Sequence, residues 1–182
     1  MTPYAYRDAL LRACEDSLGI VETTRNSGPE IDEWLKYVNA KPGDPWCIAW
    51  IASMHRIAAV QCDVPNPCPR LAGALNLYSH AIREARADLP VPGDVVILDT
   101  GEPGGAGHGE IVTGVSPDGE RIWTIGGNTN AAGSRNGDRV AAHEGWKPRT
   151  GVRGALVGFL RLWGLVKETP LVSPPGLPPS PF

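Results

Sequence analysis

Cys47, His108 and Asn128 are the residues of this sequence whose types and surroundings suggest chemistry. A cysteine becomes a nucleophile when its thiol ionises, and the first turn of a helix favours the thiolate through its free backbone amides and the helix dipole. The stretch GDPWCIAW supplies such a turn, with Asp44 as N-cap, Pro45 at the favoured first position and Cys47 as the third helical residue. The plainer reading of Cys47 is a small apolar side chain in a buried helix. His108 weighs against it. His55 and His80 fall within helical patterns and His143 ranks second in a weak strand. Only His108 opens a strand behind a glycine-rich loop, GEPGGAGHGEIVTGV, where a side chain can meet a helix end across a cleft. A hairpin that closes Val115 on Arg121 around the Asp118-Gly119 turn sets Asn128 opposite His108. Cross-strand neighbours lie about 5 Å apart on one face, so the Asn128 amide can accept the imidazole N–H and leave the other ring nitrogen to take the thiol proton. A slip of one residue puts Thr129 there instead. Cys47, His108 and Asn128 thus make a nucleophile, base and orienter in a sensible order.

The elements that must position these residues change character along the chain. Apolar spacing at Ala5, Ala9, Leu10, Ala13 and Leu18 predicts a helix over residues 4–18, stopped by Gly19. A second helix starts at Ser27, which has capping-box spacing to Glu30, and places Ile31, Trp34, Leu35 and Val38 on one face. The third, Trp46 to Val60, is apolar nearly all round and therefore buried; a fourth runs from Leu71 to Ala87. Beyond residue 90 come strand-like runs at Asp94–Asp99, His108–Val115, Arg121–Ile125, Arg139–His143 and Ala155–Leu162, separated by Gly, Pro and Asp-Gly turns. Helices first and strands second predict an α+β domain, N-terminal helices packed on an antiparallel sheet. Residues 169–182 hold six prolines in fourteen positions and read as an extended tail after a domain spanning 1–168.

Composition removes several function classes. The 182 residues are 42% hydrophobic and 20% charged, which suits one folded domain. A net charge of −3 offers no footprint for nucleic acid. No run approaches the roughly 18 apolar residues of a membrane span, and the first sixteen residues lack the apolar centre of a signal peptide. Cys62 and Cys68 flank the loop CDVPNPC and fit either a bridge in an oxidising compartment or two buried thiols. A structural zinc module from His55, Cys62, Cys68 and His80 is the rival from another class, although its spacing matches no familiar zinc motif.

Taken in order, GDPWCIAWIASMHR, VPGDVVIL, GHGEIVTGV and TIGGNTN resemble the CHAP family of cysteine, histidine-dependent amidohydrolases and peptidases. Upstream, ETTRNSGPEIDEWL resembles the segment that precedes the cysteine helix in that family, so the resemblance spans about residues 18–162. It implies a papain-like fold, no metal and no organic cofactor, and hydrolysis of an amide or peptide bond in the stem peptides of peptidoglycan. Cys47 would be the nucleophile, His108 the general base and Asn128 the polar third member. The implied setting is a phage lysin or virion-associated wall hydrolase that acts at the bacterial cell wall. A holin, a secretion system or a virion would deliver it, and the proline-rich tail would meet phage tail or virion proteins. The alternative is a catalytically silent CHAP-like component of a phage tail that is structural or binds the wall.

Two departures from the family pattern are informative. Many relatives carry glutamate two residues before the asparagine, where this chain has Gly126, and a small residue two after the histidine, where it has Glu110. In the hairpin register Glu110 and Gly126 oppose each other, so Glu110 is expected either to supply the missing carboxylate from the neighbouring strand or to be a solvated rim charge. The acidic calcium loop of some relatives has no counterpart before Cys47, which predicts no calcium. Trp46, Trp50 and Trp123 are candidate cleft walls, with core packing the better role for Trp50 and an even choice for Trp46, which is carried forward as an auxiliary substrate-binding residue.

Overall fold

The computed structural model describes residues 1–101, 107–130, 137–151 and 153–168. The centre of the glycine-rich loop and the proline-rich 169–182 segment lie outside the described residues. The chain builds four helices, then a six-stranded antiparallel sheet, as the order of patterns predicts.

Helix α1 (Pro3–Asp16) begins where the Thr2 side chain accepts from the Ala5 amide, and it buries Tyr6, Ala9, Leu10, Ala13 and Cys14. Helix α2 (Pro29–Tyr37) starts two residues later than the capping-box reading. Gly28 stands at its N-cap, and the Ser27 hydroxyl donates instead to Asp32 at 2.9 Å. Helix α3 (Cys47–Cys62) also starts late. Asp44 accepts from the Lys41 amide at 2.9 Å and so closes the preceding turn rather than capping the helix. Trp46 becomes the N-cap residue and Cys47 the first residue of the helix, where its N–H has no intrahelical acceptor. Helix α4 (Ala74–His80) is much shorter than predicted. Extended backbone at Ala81 ends it, a single 3-10 turn follows, and Arg86–Ala87 forms β1 by pairing with the last strand. Sheet pairing overrides local helical preference there.

The sheet order is β1-β6-β2-β3-β4-β5, with β2 Val95–Asp99, β3 His108–Val115, β4 Ile122–Thr129, β5 Arg139–Trp146 and β6 Ala155–Leu160. The β3–β4 turn is wider than read from sequence, because Val115 pairs with Ile122 rather than Arg121. A bulge between Val112 and Gly114 then restores the expected alignment, so that Ile111 faces Ile125. Strand alternation divides the apolar residues between two faces. Val95, Ile97, Ile111 and Ile125 join Leu10, Ile48, Ile51 and Trp50 in the core beneath the helices. Val96, Leu98, Val112, Ile122 and Phe159 form a second cluster on the opposite face.

The start of β2 is tied to the segment that follows its neighbour β6 by Asp94, which is fully buried. Its carboxylate accepts from Arg161 Nε at 3.1 Å, Arg161 Nη2 at 3.0 Å, the Trp163 indole at 3.0 Å and the Val91 amide at 3.0 Å. Removing it strands several donors in a dry setting, so Asp94→Ala is expected to cost about 2–4 kcal/mol in urea denaturation. A loss below about 1 kcal/mol would show that the Arg161–Trp163 segment is held by packing alone.

Candidate active site

Cys47 and His108 come together from α3 and β3. Both are buried, with 5% and 1% exposure. Gly107 feeds His108 into its strand: it has φ +63°, and a Cβ there would stand 2.6 Å from the Leu98 carbonyl oxygen. Cys47 lies at the N-terminus of α3 with the Ile48 and Gly109 amides directed at its sulfur. Burial alone would push the thiol up. The His108 imidazole beside it and those two amides outweigh burial, and the thiol lies below its ordinary range. The other three cysteines are free buried thiols whose pKa values burial raises, so Cys62 and Cys68 follow the unbridged reading.

The imidazole is oriented by Glu110. Nε2 of His108 stands 3.1 Å from Glu110 Oε1, while Nδ1 is buried and makes no hydrogen bond of ordinary geometry among the described residues. Nδ1 is thus the nitrogen left for the Cys47 thiol. Burial would strip the proton from His108, but Cys47 and Glu110 prevail and push its pKa up to about 9.

Glu110, fully buried, is the centre of a donor shell. Thr124 Oγ1 donates to Oε2 at 2.5 Å, Arg153 Nη2 to Oε1 at 2.6 Å and Arg153 Nη1 to Oε2 at 3.3 Å. His143 Nδ1 lies 3.2 Å from Oε2, and its Nε2–H donates to the Asn130 carbonyl at 2.8 Å. The Trp146 indole donates to Thr124 Oγ1 at 3.0 Å, and the Arg153 guanidinium lies 4.6 Å from the centre of a Trp146 ring. Burial would raise the Glu110 pKa. Hydrogen bonds from His108 and His143, with the charges of His108 and Arg153, hold it well below the usual carboxylate range. The reading of Glu110 as a solvated rim charge is therefore replaced by a buried carboxylate on the imidazole. Gly126 makes room for it: a Cβ at 126 would lie 2.7 Å from Glu110 Cγ.

Asn128 is close by but is not the orienter. Its backbone is left-handed, φ +55°, at an irregularity of β4, and its side chain bonds other partners than the imidazole. In the amide orientation that satisfies its neighbours, Nδ2 donates to the Gly137 carbonyl at 2.8 Å and Oδ1 accepts from the Trp46 amide at 3.3 Å. Asn128 therefore holds the start of α3. Trp46 is not a cleft wall either. Its ring is fully buried 5.6 Å from Trp34, its indole donates to Glu22 at 2.8 Å, and the bare backbone of Gly127 packs against it. Trp50 is core, donating to Ser17 at 3.0 Å, and Trp123 is 37% exposed.

Sequence reasoning missed Thr124, Trp146 and Arg153 and ranked His143 only as a spare base. The alternation of β4 and β5 puts Thr124 and His143 on the Glu110 face, because Thr124 pairs with both Val112 and His143. That signal was legible once the register was known. Nothing in the spacing of Arg153 points to Glu110. The residues of the zinc alternative do not converge: His55 Nδ1 lies 3.0 Å from the Tyr6 hydroxyl, and exposed His80 bonds within α4. Among the described residues no group of three or more His, Cys, Asp or Glu is placed to hold a metal ion.

No family model, no curated protein and no solved structure matches this chain.

Two outcomes follow from the geometry. Iodoacetamide at pH 6.5 is expected to label Cys47 ahead of Cys14, Cys62 and Cys68, read by peptide mass spectrometry, because only Cys47 carries a lowered pKa. Equal labelling of all four would contradict the thiolate assignment. Gly126→Ala is expected to drive Glu110 off the imidazole and slow that Cys47 alkylation about tenfold or more, an effect worth about one pKa unit. An unchanged rate would mean that Glu110 does not govern His108.

Proposed function

We propose that the protein is a cysteine hydrolase of the papain-like, CHAP type that cleaves an amide or peptide bond in the stem peptide of bacterial peptidoglycan. The observation that carries this reading is the ordered line Cys47–His108–Glu110. It joins a thiol of lowered pKa on the first residue of a buried helix to an imidazole whose far nitrogen is bonded to a buried carboxylate. An α+β architecture with the cysteine on a helix and the histidine on an antiparallel sheet supports it. The wall substrate rests on the resemblance of the four sequence motifs alone.

In this reading the Cys47 thiolate attacks the carbonyl carbon of the scissile bond, forming a carbon–sulfur bond while the carbonyl electrons move to oxygen. The N–H of Cys47, which has no intrahelical acceptor, is the donor for that oxyanion in this reading. Collapse breaks the carbon–nitrogen bond, and His108 gives its Nδ1 proton to the departing amine. Water then attacks the thioester as His108 takes a proton from it, which releases the carboxylic acid and restores the thiolate–imidazolium pair. Glu110 stays ionised throughout and keeps Nε2 protonated. Asn128 acts at one remove by bonding the Trp46 amide. The chain needs no metal or organic cofactor for these steps. The protein acts at the cell wall, as a phage lysin or carried on a virion, with tail proteins as partners of its proline-rich segment.

Digestion of purified sacculi tests this. Wild-type protein is expected to release fragments whose masses name the bond cut, and Cys47→Ala to release none above background, a loss of about 10³-fold or more. Absence of release by the wild type from walls of several types would overturn the hydrolase reading in favour of a structural or wall-binding component.

A further inference from the structure

We propose that Arg153 is a positioning residue that acts through Glu110, sharing the carboxylate so that the proton of His108 stays transferable. The consequence for turnover rests on the hydrolase reading; the effect on the imidazole does not.

A buried carboxylate in contact with an imidazole stabilises the protonated ring. Glu110 Oε1 lies 3.1 Å from His108 Nε2 with no water access to either group, so the full negative charge would hold the imidazolium proton strongly. A histidine held in that state cannot give its proton to an amine and later take one from water. Arg153 places its guanidinium on both carboxylate oxygens, and the shorter contact, 2.6 Å, is to the oxygen that His108 uses. One cation thereby offsets much of the charge that His108 feels. Arg153 is itself fixed over the Trp146 ring, whose indole bonds Thr124, the hydroxyl donor to the other oxygen.

The remaining groups around this pair do not substitute for Arg153. His108 faces Cys47 from α3 and Glu110 from its own strand. Glu110 faces Thr124 from β4, His143 from β5 and Arg153 from the β5–β6 connection. Thr124 brings no charge, and Arg153 is the one permanent cation touching the carboxylate among these groups. His143 Nδ1 stands 3.3 Å from Arg153 Nη2, within hydrogen-bond reach of the same guanidinium.

The test is a titration of the His108 ring nitrogens by ¹⁵N NMR in the full-length protein, which needs no substrate. Arg153→Met and Arg153→Gln are expected to move the His108 midpoint upward by about one unit, a tenfold tighter hold on the proton, and Arg153→Lys to keep the wild-type midpoint. Glu110→Gln, which leaves Arg153 unopposed, is expected to drop it below the ordinary imidazole value of 6.5. A merely structural role for Arg153 would leave the midpoint in place or lower it in the Met and Gln variants. Either result overturns the proposal, as does a Lys variant that titrates like Met. If those variants fail to fold, a Glu110→Gln midpoint at or above 6.5 overturns it alone. With sacculi at pH 7, Arg153→Met is expected to lose fragment release while Arg153→Lys keeps it. A wild type that releases nothing removes the hydrolase reading and leaves the titration to judge Arg153.

Discussion

Glu110 is a carboxylate without water, and the sheet around it is arranged so that both of its oxygens are satisfied. An ion in that position costs several kcal/mol unless donors replace its hydration, and here they come from β3, β4, β5 and the connection into β6. Each donor fixes the relative placement of one element. The carboxylate therefore ties these elements together where His108 enters the sheet, and it bonds the imidazole that lowers the Cys47 thiol. Gly126 is the complementary constraint, since the neighbouring strand must be bare for Glu110 to occupy this place.

The second half of the arrangement is the docking of α3. The helix must bring its first residue to the start of β3, beside His108. Three contacts achieve this: Asn128 accepting from the Trp46 amide, Trp46 packed between Trp34 and the backbone of Gly127, and the Trp46 indole on Glu22. Trp46, which looks like a substrate contact from its closeness to Cys47 in sequence, is thus a buried side chain that fixes the start of α3.

Much of this was legible in the sequence, for identifiable reasons. The order of helices and strands follows from the change in apolar period near residue 90. The meeting of a helix-end cysteine with a strand-opening histidine follows from Pro45, Gly107 and the buried character of α3. Glu110 lies beside Gly126 as the hairpin register predicts although the turn is one residue wider, because the bulge at Val112–Gly114 brings Ile111 opposite Ile125. The role of Asn128 is not legible in the same way, because the register argument assumes regular strand backbone and Asn128 is left-handed at a register shift of β4. The 81–87 segment was misread as helix because only pairing with β6 makes it a strand. Arg153 was invisible because its partner is forty-three residues earlier and no local period connects them.

The buried Glu110 carboxylate, acting through His108, favours the Cys47 thiolate below the ordinary thiol range. Thiolate absorbance at 240 nm, followed from pH 4 to 10 as the difference between wild type and Cys47→Ser, measures this directly. Thiolate already present at neutral pH in the wild type, and lost to a midpoint near the ordinary value of about 8.5 in Glu110→Gln, is the predicted result. A wild-type thiol that ionises only near that ordinary value, or a thiolate indifferent to the loss of the Glu110 charge, would contradict it.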